Sequence, residues 1–236
     1  MSRGELNGLY VITDTTRFQR EALVEAVSEA IQGGARIIQY RDKSTDAARR
    51  RDEAAALAEL CRHHDRVFIV NDDVALATEV GADGVHLGRE DAPLTDTRAR
   101  FEAAGLDAII GVSCYADRLR AERAAAEGAD YLAFGAMFPS PTKPHAPGAP
   151  ADVLGWARER LGRPVCGIGG ITAANVGDLM PHRPDMIAVI SEVFAAPDIR
   201  AAAESLTWAM AAGRAQSLAQ SLAQPNSRTN HDPENP

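Results

Sequence analysis

The sequence has few of the features that mark a disulfide-bonded, membrane-spanning or nucleic-acid-binding protein. Three cysteines, Cys61, Cys114 and Cys166, are far apart and odd in number, which favours neither a disulfide framework nor a metal cluster. The hydrophobic runs fall short of the roughly 18 residues that a membrane span needs. A net charge of −8 argues against general nucleic-acid binding. The opening MSRGELNG lacks the apolar stretch of a secretory signal, so we expect a cytoplasmic protein with neither membrane nor nucleic-acid partners.

Aromatic residues and lysine are both scarce. Aromatics make up 5% of the 236 residues, so aliphatic side chains must do most of the packing. Only two of the 25 basic residues are lysines, Lys43 and Lys143. An arginine-rich coding bias accounts for the scarcity, and under such a bias the two remaining lysines become candidates for phosphate binding, which suits a compact and mobile ammonium group.

Short β-branched runs alternate with Ala-, Leu- and Glu-rich helical segments along most of the chain. The predicted strands cover 9–13, 36–40, 67–70, 84–87, 108–112, 131–134, 164–167 and 186–190. The predicted helices cover 20–32, 46–63, 72–80, 94–104, 116–127, 151–161, 172–179 and 198–212. Eight strand–helix units predict an α/β fold, a single (β/α)₈ TIM barrel over 1–212, with 213–236 as a disordered C-terminal tail into which the last helix could extend.

Polar residues follow nearly every predicted strand, at the end of a barrel where catalytic residues lie. Asp72 and Asp91 come after the third and fourth strands, and carboxylates suit a divalent cation such as Mg²⁺. Alternatively Asp72 caps the next helix and Asp91 is an ordinary loop residue, while Asn71 and Asp73 could equally be caps. Gln39 and Arg41 share one strand face, which Lys43 continues, so the three suit a phosphorylated ligand or else form salt bridges in the barrel interior.

Two further segments suit phosphate binding. The loop after the sixth strand is long and Pro-rich, and Ser140, Thr142 and Lys143 supply donors there, whereas the part from His145 onward fits a plain surface loop. The Gly-rich turn at 167–171 follows the seventh strand, and Ile190 and Ser191 follow the eighth, which is where many barrels hold phosphate.

For three other polar residues the sequence gives no reason to assign a catalytic role. His86 lies within the fourth strand and is expected to be a hydrogen-bonded core residue. Cys114 has no evident base nearby and is not assigned as a nucleophile. Tyr115 is either a pocket wall or a packing residue.

Taken together, the segments YVITD, IQYRDK, FIVNDD, DGVHLGRED, GVS, FPSPTKP, GIGGI and VIS resemble the thiamine-phosphate synthase family, over residues 8–205. The resemblance implies a transferase that joins 4-amino-2-methyl-5-pyrimidinylmethyl diphosphate to a thiazole phosphate and releases pyrophosphate. It implies Mg²⁺ at Asp72 and Asp91. It implies catalytic roles in stabilising the leaving group for Arg41, Lys43, Ser113 and Lys143. The substrate-binding residues that it implies are Gln39, Tyr40, Arg41, Asp42, Lys43, Asn71, Ser113, Ser140, Pro141, Thr142, Lys143, Gly170, Ile190 and Ser191.

The chain departs from the family pattern at three places. Tyr115 stands where the family often has His, the loop reads Ser-Pro-Thr-Lys where Thr and a non-Pro residue commonly begin it, and 183–186 reads Arg-Pro-Asp-Met in place of Gly-Ala-Asp-Gly. Two other functions stay open at this point: a thiazole tautomerase or related barrel isomerase, and a non-catalytic protein that binds phosphorylated ligands of the same pathway. A homo-oligomer is compatible with all three.

Overall fold

The computed structural model describes residues 5–139 and 148–223. Within them, eight parallel strands pair in sequence order and close into a barrel, β8 lying beside β1. The strands are β1 Gly8–Ile12, β2 Ala35–Tyr40, β3 Val67–Asn71, β4 Gly84–Leu87, β5 Ile109–Tyr115, β6 Tyr131–Phe134, β7 Val165–Ile168 and β8 Met186–Val189. The predicted TIM barrel is confirmed, and closure leaves no open edge strand that could pair with another chain.

Helices cover the outside of the barrel. They are α1 Arg20–Gln32, α2 Ala47–His63, α3 Val74–Val80, α4 Leu94–Ala103, α5 Arg118–Ala126, α6 Asp152–Leu161, α7 Ser191–Phe194 and α8 Ile199–Ala223. Asp46, Asp73 and Asp117 cap α2, α3 and α5, each accepting a hydrogen bond from a backbone amide three residues later. None of the described helices is long and apolar enough to cross a membrane.

The prediction of a helix at 172–179 is wrong in position and type. A 3₁₀ helix spans Val176–His182 instead. The Asn175 side chain accepts from the Thr172 amide at 2.8 Å, a local turn that competes with helix formation. Pro181 lies inside the element and has no amide hydrogen to donate to an α-helical ladder.

Two other elements differ from the prediction. The four-residue helix α7, Ser191–Phe194, was not predicted, being too short to show a helical period. Helix α8 continues to Ala223, so residues 213–223 are helical, which differs from their assignment to a disordered tail and agrees with the stated alternative that the last helix extends. Their Ala, Gln and Leu content favours a helix, and the first proline after it is Pro225. Residues 224–236 of the predicted tail lie outside the described residues.

Alternating side chains of the strands build two apolar clusters. The inner cluster fills the barrel and includes Tyr10, Ile37, Ile69, Tyr131 and Met186. The outer cluster lies between the strands and the helices and is mainly aliphatic. Because side chains alternate along a strand, neighbouring residues of the same strand belong to different environments. This alternation decides which polar residues reach the open carboxyl end of the barrel.

Candidate active site

Asp72 lies directly after β3 at the carboxyl end of the barrel. Its backbone is in the left-handed region, with φ of 64°, and its amide donates to the His86 carbonyl oxygen at 2.9 Å. The side chain of Asp73, not that of Asp72, caps α3 by accepting from the Leu76 amide at 3.0 Å. Interpreting Asp72 as the helix cap is therefore wrong, and its carboxylate instead contacts the Nζ atom of Lys43.

Asp91 lies beside Asp72, and the Gly88 amide donates to its Oδ2 atom at 2.5 Å. Burial raises the pKa of the Asp91 carboxyl group, and the neighbouring Asp72 carboxyl raises it further, while Lys43 acts in the opposite direction. Two carboxylates this close repel each other when both are ionised, and a bound cation would relieve that repulsion. The arrangement fits Mg²⁺, which binds through one or two carboxylates together with water and substrate phosphates.

The part of the chain that the structure describes holds no group of three or more His, Cys, Asp or Glu side chains that could enclose a metal ion. Asp72 and Asp91 contribute two carboxylates here, and a metal ion bound between them would take further ligands from water and phosphate oxygens. Such an open site matches a metal that acts on a phosphorylated substrate and differs from a closed structural site.

The side chains at the end of β2 divide between the two faces of the strand. Gln39 is 2% exposed and lies inside the barrel, while Arg41 and Lys43 continue its row toward solvent. Tyr40 and Asp42 lie on the helix side, where Tyr40 donates to Glu53 at 2.8 Å. The structure thus places three of the five predicted ligand-binding side chains of this segment on the face that leads from the barrel interior to the rim, and directs the other two away from it.

Asn71 is the last residue of β3, and Ser113 lies within β5. Both residues are partly buried at the same rim. Ser113 Oγ is 2.8 Å from the Nε2 atom of His86. The His86 Nδ1 atom is 2.8 Å from the Tyr131 hydroxyl, so both ring nitrogens are engaged, as expected for a hydrogen-bonded core histidine. Burial lowers the pKa of His86 to about 4, so its imidazole is neutral near pH 7.

Arg120 is a residue of the site that the sequence analysis missed. Its Nε atom donates to the Ser113 carbonyl oxygen at 2.6 Å, and its Nη2 atom donates to the Gly88 carbonyl oxygen at 2.8 Å. The guanidinium group therefore joins β5 to the turn that holds Asp91. No pattern in the sequence distinguishes Arg120 from the many other arginines on helices, and only the tertiary contact reveals its position.

Tyr115 forms part of the outer wall of this rim. Its backbone has φ of 58°, and the pairing of β5 with β6 shifts register between Ser113 and Tyr115. The side chain is 42% exposed, and the Arg89 guanidinium carbon lies 4.9 Å from the ring centroid. Of the two interpretations, pocket wall or core packing, the exposure favours the wall.

Backbone dominates the rim at β7 and β8. Gly170 has φ of 66°, and a Cβ atom there would lie 2.6 Å from the Pro139 carbonyl oxygen, so this position requires glycine. Ile190 lies between β8 and α7, Ser191 is the first residue of α7, and Glu192 accepts from the Ala173 amide at 3.0 Å, which joins the two turns. The predicted residues Ser140, Pro141, Thr142 and Lys143 lie outside the described residues.

Comparison with known proteins identifies the family to which the chain belongs. A family model described as thiamine monophosphate synthase matches residues 9–193. The thiamine-phosphate synthase of Thioalkalivibrio sulfidiphilus is 50% identical over 201 residues, which are 85% of this chain and 94% of that protein. The chain belongs to the thiamine-phosphate synthase family. A second member, from Halorhodospira halophila, is 50% identical over 202 residues, 86% of this chain and 93% of its own length.

Solved structures agree with this membership of the thiamine-phosphate synthase family. The thiamine phosphate pyrophosphorylase of Pyrococcus furiosus superposes with a TM-score of 0.79 at 37% identity, covering 89% of this chain and 98% of that one. A 3-hexulose-6-phosphate synthase superposes with a TM-score of 0.62 at 17% identity, covering 86% of this chain and 99% of that one, which shows the shared barrel fold alone.

Proposed function

We propose that this member of the thiamine-phosphate synthase family joins 4-amino-2-methyl-5-pyrimidinylmethyl diphosphate to a thiazole phosphate, forming thiamine phosphate and pyrophosphate in a Mg²⁺-dependent reaction. The observation that carries the proposal is the convergence of Asp72, Asp91 and Lys43 at one rim of the barrel. The reaction needs this combination, because the group that leaves is a polyanion whose charge grows as its bond to carbon breaks.

Asp72 and Asp91 would hold the metal ion. When bound, Mg²⁺ would neutralise the diphosphate oxygens as negative charge develops on them, an effect worth several kcal/mol in metal-assisted reactions. Lys43 already lies against Asp72, so its ammonium group is held within this site before substrate arrives. A positioned cation of this kind stabilises the leaving group without further reorganisation.

Arg41, Lys43, Ser113 and Lys143 are the proposed catalytic side chains. Arg41 is exposed at the rim with its backbone fixed, because the Arg41 amide donates to Thr13 Oγ1 at 2.9 Å. Its guanidinium group can bind two phosphate oxygens at once. Gln39, on the inner face of β2, and Asn71, partly buried at the end of β3, would hold the pyrimidine part. Tyr40 and Asp42 would contact a ligand through their backbone only.

The reaction needs no protein nucleophile. The electron-rich aminopyrimidine stabilises the methylene cation that forms as pyrophosphate leaves, and the thiazole nitrogen then attacks that carbon. Cys114 directly follows Ser113 in the sequence, and its side chain is buried. Burial raises the pKa of the Cys114 thiol to about 12, so the thiol stays protonated near neutral pH. The site accordingly acts by binding, orientation and charge stabilisation.

The thiazole phosphate would bind at the other half of the rim. Gly170, Ile190 and Ser191 supply backbone amides at the ends of β7 and β8, where barrels commonly hold phosphate. Ser140, Pro141 and Thr142 would complete this side from the preceding loop. The two substrates would then meet across the barrel mouth, with the leaving group facing the acidic pair.

The tautomerase alternative finds less support in the site. It requires a general base at the rim, and both nitrogens of His86 already form hydrogen bonds, to Tyr131 and Ser113. The exposed side chain of Tyr115 replaces a residue that could have served as a base. The carboxylates of Asp72 and Asp91 are able to accept a proton, but an acidic pair with a lysine against it suits metal and diphosphate binding better than a proton shift alone.

A coupling assay tests the proposal directly. The purified protein is incubated with both substrates, with Mg²⁺ or with excess chelator, and thiamine phosphate and pyrophosphate are quantified. We expect both products in equal amounts with Mg²⁺ and at least a hundredfold lower rate without it. Absence of product from a folded preparation, or an undiminished rate in chelator, would overturn the proposed function or its metal dependence respectively.

A further inference from the structure

Five polar side chains form a continuous chain of hydrogen bonds across the interior of the barrel. Gln39 Nε2 is 2.6 Å from Tyr10 Oη, which is 2.9 Å from Tyr131 Oη. Tyr131 Oη is 2.8 Å from His86 Nδ1, and His86 Nε2 is 2.8 Å from Ser113 Oγ. Strands β2, β1, β6, β4 and β5 each contribute one residue. We call these five residues the interior relay.

The relay is a built part of the core. Tyr10 and Tyr131 are 2% and 0% exposed, and their rings pack edge to face with centroids 6.1 Å apart. The His86 ring stacks on Tyr131 at 5.6 Å. Gly111 faces the Tyr131 ring, where a Cβ atom would overlap it. Polar groups this deep are costly unless they are paired, so the relay is held in one arrangement.

Both ends of the relay are residues that the proposed function places against substrate. Gln39 lies at the pyrimidine side, and Ser113 lies on the diphosphate side. The three residues between them, Tyr10, Tyr131 and His86, have no part in the mechanism described above. Their hydrogen bonds nevertheless determine how the two end residues can present their own donors and acceptors.

The direction of the relay follows from the Gln39 amide, which has its Nε2 atom and not its oxygen toward Tyr10, together with the number of hydrogens that each group carries. The amide nitrogen of Gln39 can only donate, so Tyr10 accepts from it and gives its single hydroxyl hydrogen to Tyr131. Tyr131 then donates its own hydrogen to His86 Nδ1. A neutral imidazole that accepts at Nδ1 carries its proton on Nε2, from which it donates to Ser113 Oγ. Ser113 therefore keeps its hydroxyl hydrogen for a ligand.

We propose that Tyr10, Tyr131 and His86 are positioning residues that orient the Ser113 hydroxyl as a hydrogen-bond donor toward the diphosphate, with the Gln39 amide setting the direction. The proposal rests on the proposed function for the identity of that anion. In a relay that runs the opposite way, the Ser113 hydroxyl would donate its hydrogen to His86 Nε2. Only the lone pairs of the Ser113 oxygen would then face the anion. Hydrogen bonds to charged groups are strong, so reversal would weaken diphosphate binding roughly tenfold or more.

The tautomer of His86 tests the direction without any activity measurement. Protein labelled with ¹⁵N-histidine is studied by NMR near pH 7, and the His86 signals are assigned by their loss in His86→Gln. We expect a protonated Nε2 and an unprotonated Nδ1. A proton found on Nδ1 would show that the relay runs the other way and would overturn the proposal.

A double-mutant cycle tests whether the relay acts through Ser113. The affinity for pyrophosphate in the presence of Mg²⁺ is measured by titration calorimetry for the wild type, Tyr131→Phe, Ser113→Ala and the double variant. We expect each single change to weaken pyrophosphate binding roughly tenfold, and the double variant to bind no more weakly than Ser113→Ala. Effects that multiply, or normal binding by Tyr131→Phe, would overturn the role of the relay.

Thr207→Val is the matched control, since it also removes one hydroxyl hydrogen bond, to the Gly33 carbonyl oxygen at 3.3 Å, from α8 outside the relay. It should leave pyrophosphate affinity unchanged. The outcomes separate the two proposals. If the protein forms thiamine phosphate but His86 carries its proton on Nδ1, the relay proposal is wrong and the proposed function stands. If the tautomer and the double-mutant cycle are as expected but no coupling product forms, the proposed function is wrong and the relay proposal stands.

Discussion

The two faces of β2 differ in what their polar residues do, although these residues alternate along one short segment. Gln39, Arg41 and Lys43 lie on the inner face and lead from the barrel interior to the open rim. Tyr40 and Asp42 lie on the outer face among the helices. Sequence proximity alone would give all five the same role. The side-chain alternation of a strand therefore separates residues that face the proposed site from residues that support the fold, within five consecutive positions.

The outer face is a network of largely buried ion pairs and hydrogen bonds. Asp42 accepts from Arg49 at 2.8 Å, and the Asp42 and Arg49 side chains are only 3% and 11% exposed. Glu53 is 2% exposed and accepts from the Tyr40 hydroxyl and the Arg20 amide, each at 2.8 Å. These groups are paired with each other and fasten β2 to α1 and α2. The inner face instead leaves the Lys43 side chain 60% exposed, with its ammonium group beside Asp72.

The largest effect is expected from a substitution on the inner rim. Asp72→Asn removes the negative charge of one of the two proposed metal ligands. Asparagine tolerates the left-handed backbone at this position. We expect the coupling rate to fall roughly a thousandfold while the thermal midpoint stays within a few degrees, because the loss concerns leaving-group stabilisation. Coupling assays and circular dichroism melting measure the two quantities.

Asp65→Asn provides the matched control for Asp72→Asn. Asp65 also has a left-handed backbone, with φ of 53°, and precedes β3 at the opposite end of the barrel. Its substitution should leave the coupling rate unchanged. Equal losses in both variants would mean that the backbone conformation, and not the charge at the rim, determines activity.

A substitution on the outer face should affect stability instead. Asp42→Asn keeps the side-chain volume but leaves the largely buried Arg49 without its closest carboxylate partner. We expect a loss of about 2–3 kcal/mol in the free energy of unfolding, or roughly 5–10 °C in the thermal midpoint. The coupling rate per folded molecule should change by less than about threefold, since the side chain does not reach the rim.

Asp52→Asn is the control for this second substitution. Asp52 forms an exposed ion pair with Arg51, at 3.7 Å, and such surface pairs contribute little. Denaturant titration of both variants should separate them clearly. If Asp42→Asn retained wild-type stability but lost activity, the assignment of Asp42 to the supporting face would be wrong.

The smallest effect concerns two buried thiols of the outer layer. Burial raises the pKa of Cys61 and of Cys114 to about 12, from 9.0. The unfolded chain therefore releases these protons first as the pH rises past 9, and the free energy of unfolding should fall with it. We expect about 1 kcal/mol per thiol at pH 10. Urea midpoints at pH 8 and 10 should differ less for Cys61→Ala than for the wild type.

Much of the fold could be predicted because the strand runs and helical segments repeat at regular spacing. The turn after β7 could not, because the Asn175–Thr172 hydrogen bond and Pro181 act locally against a segment that reads as helical. At the site, the acidic residues were recognisable from their places after β3 and β4. The role of Arg120 was not, since its partners on β5 and the β4 turn are backbone carbonyls.

The sequence by itself determined the number of strands, the shared face of Gln39, Arg41 and Lys43, and the rim where polar residues gather, because these follow from periodicity and from the direction of parallel strands. Only the tertiary structure decided the partners. Tyr10 and Tyr131 are 121 residues apart, and Lys43 and Asp72 are 29 apart. A periodic pattern states which way a side chain points, but barrel closure and register determine what it meets there.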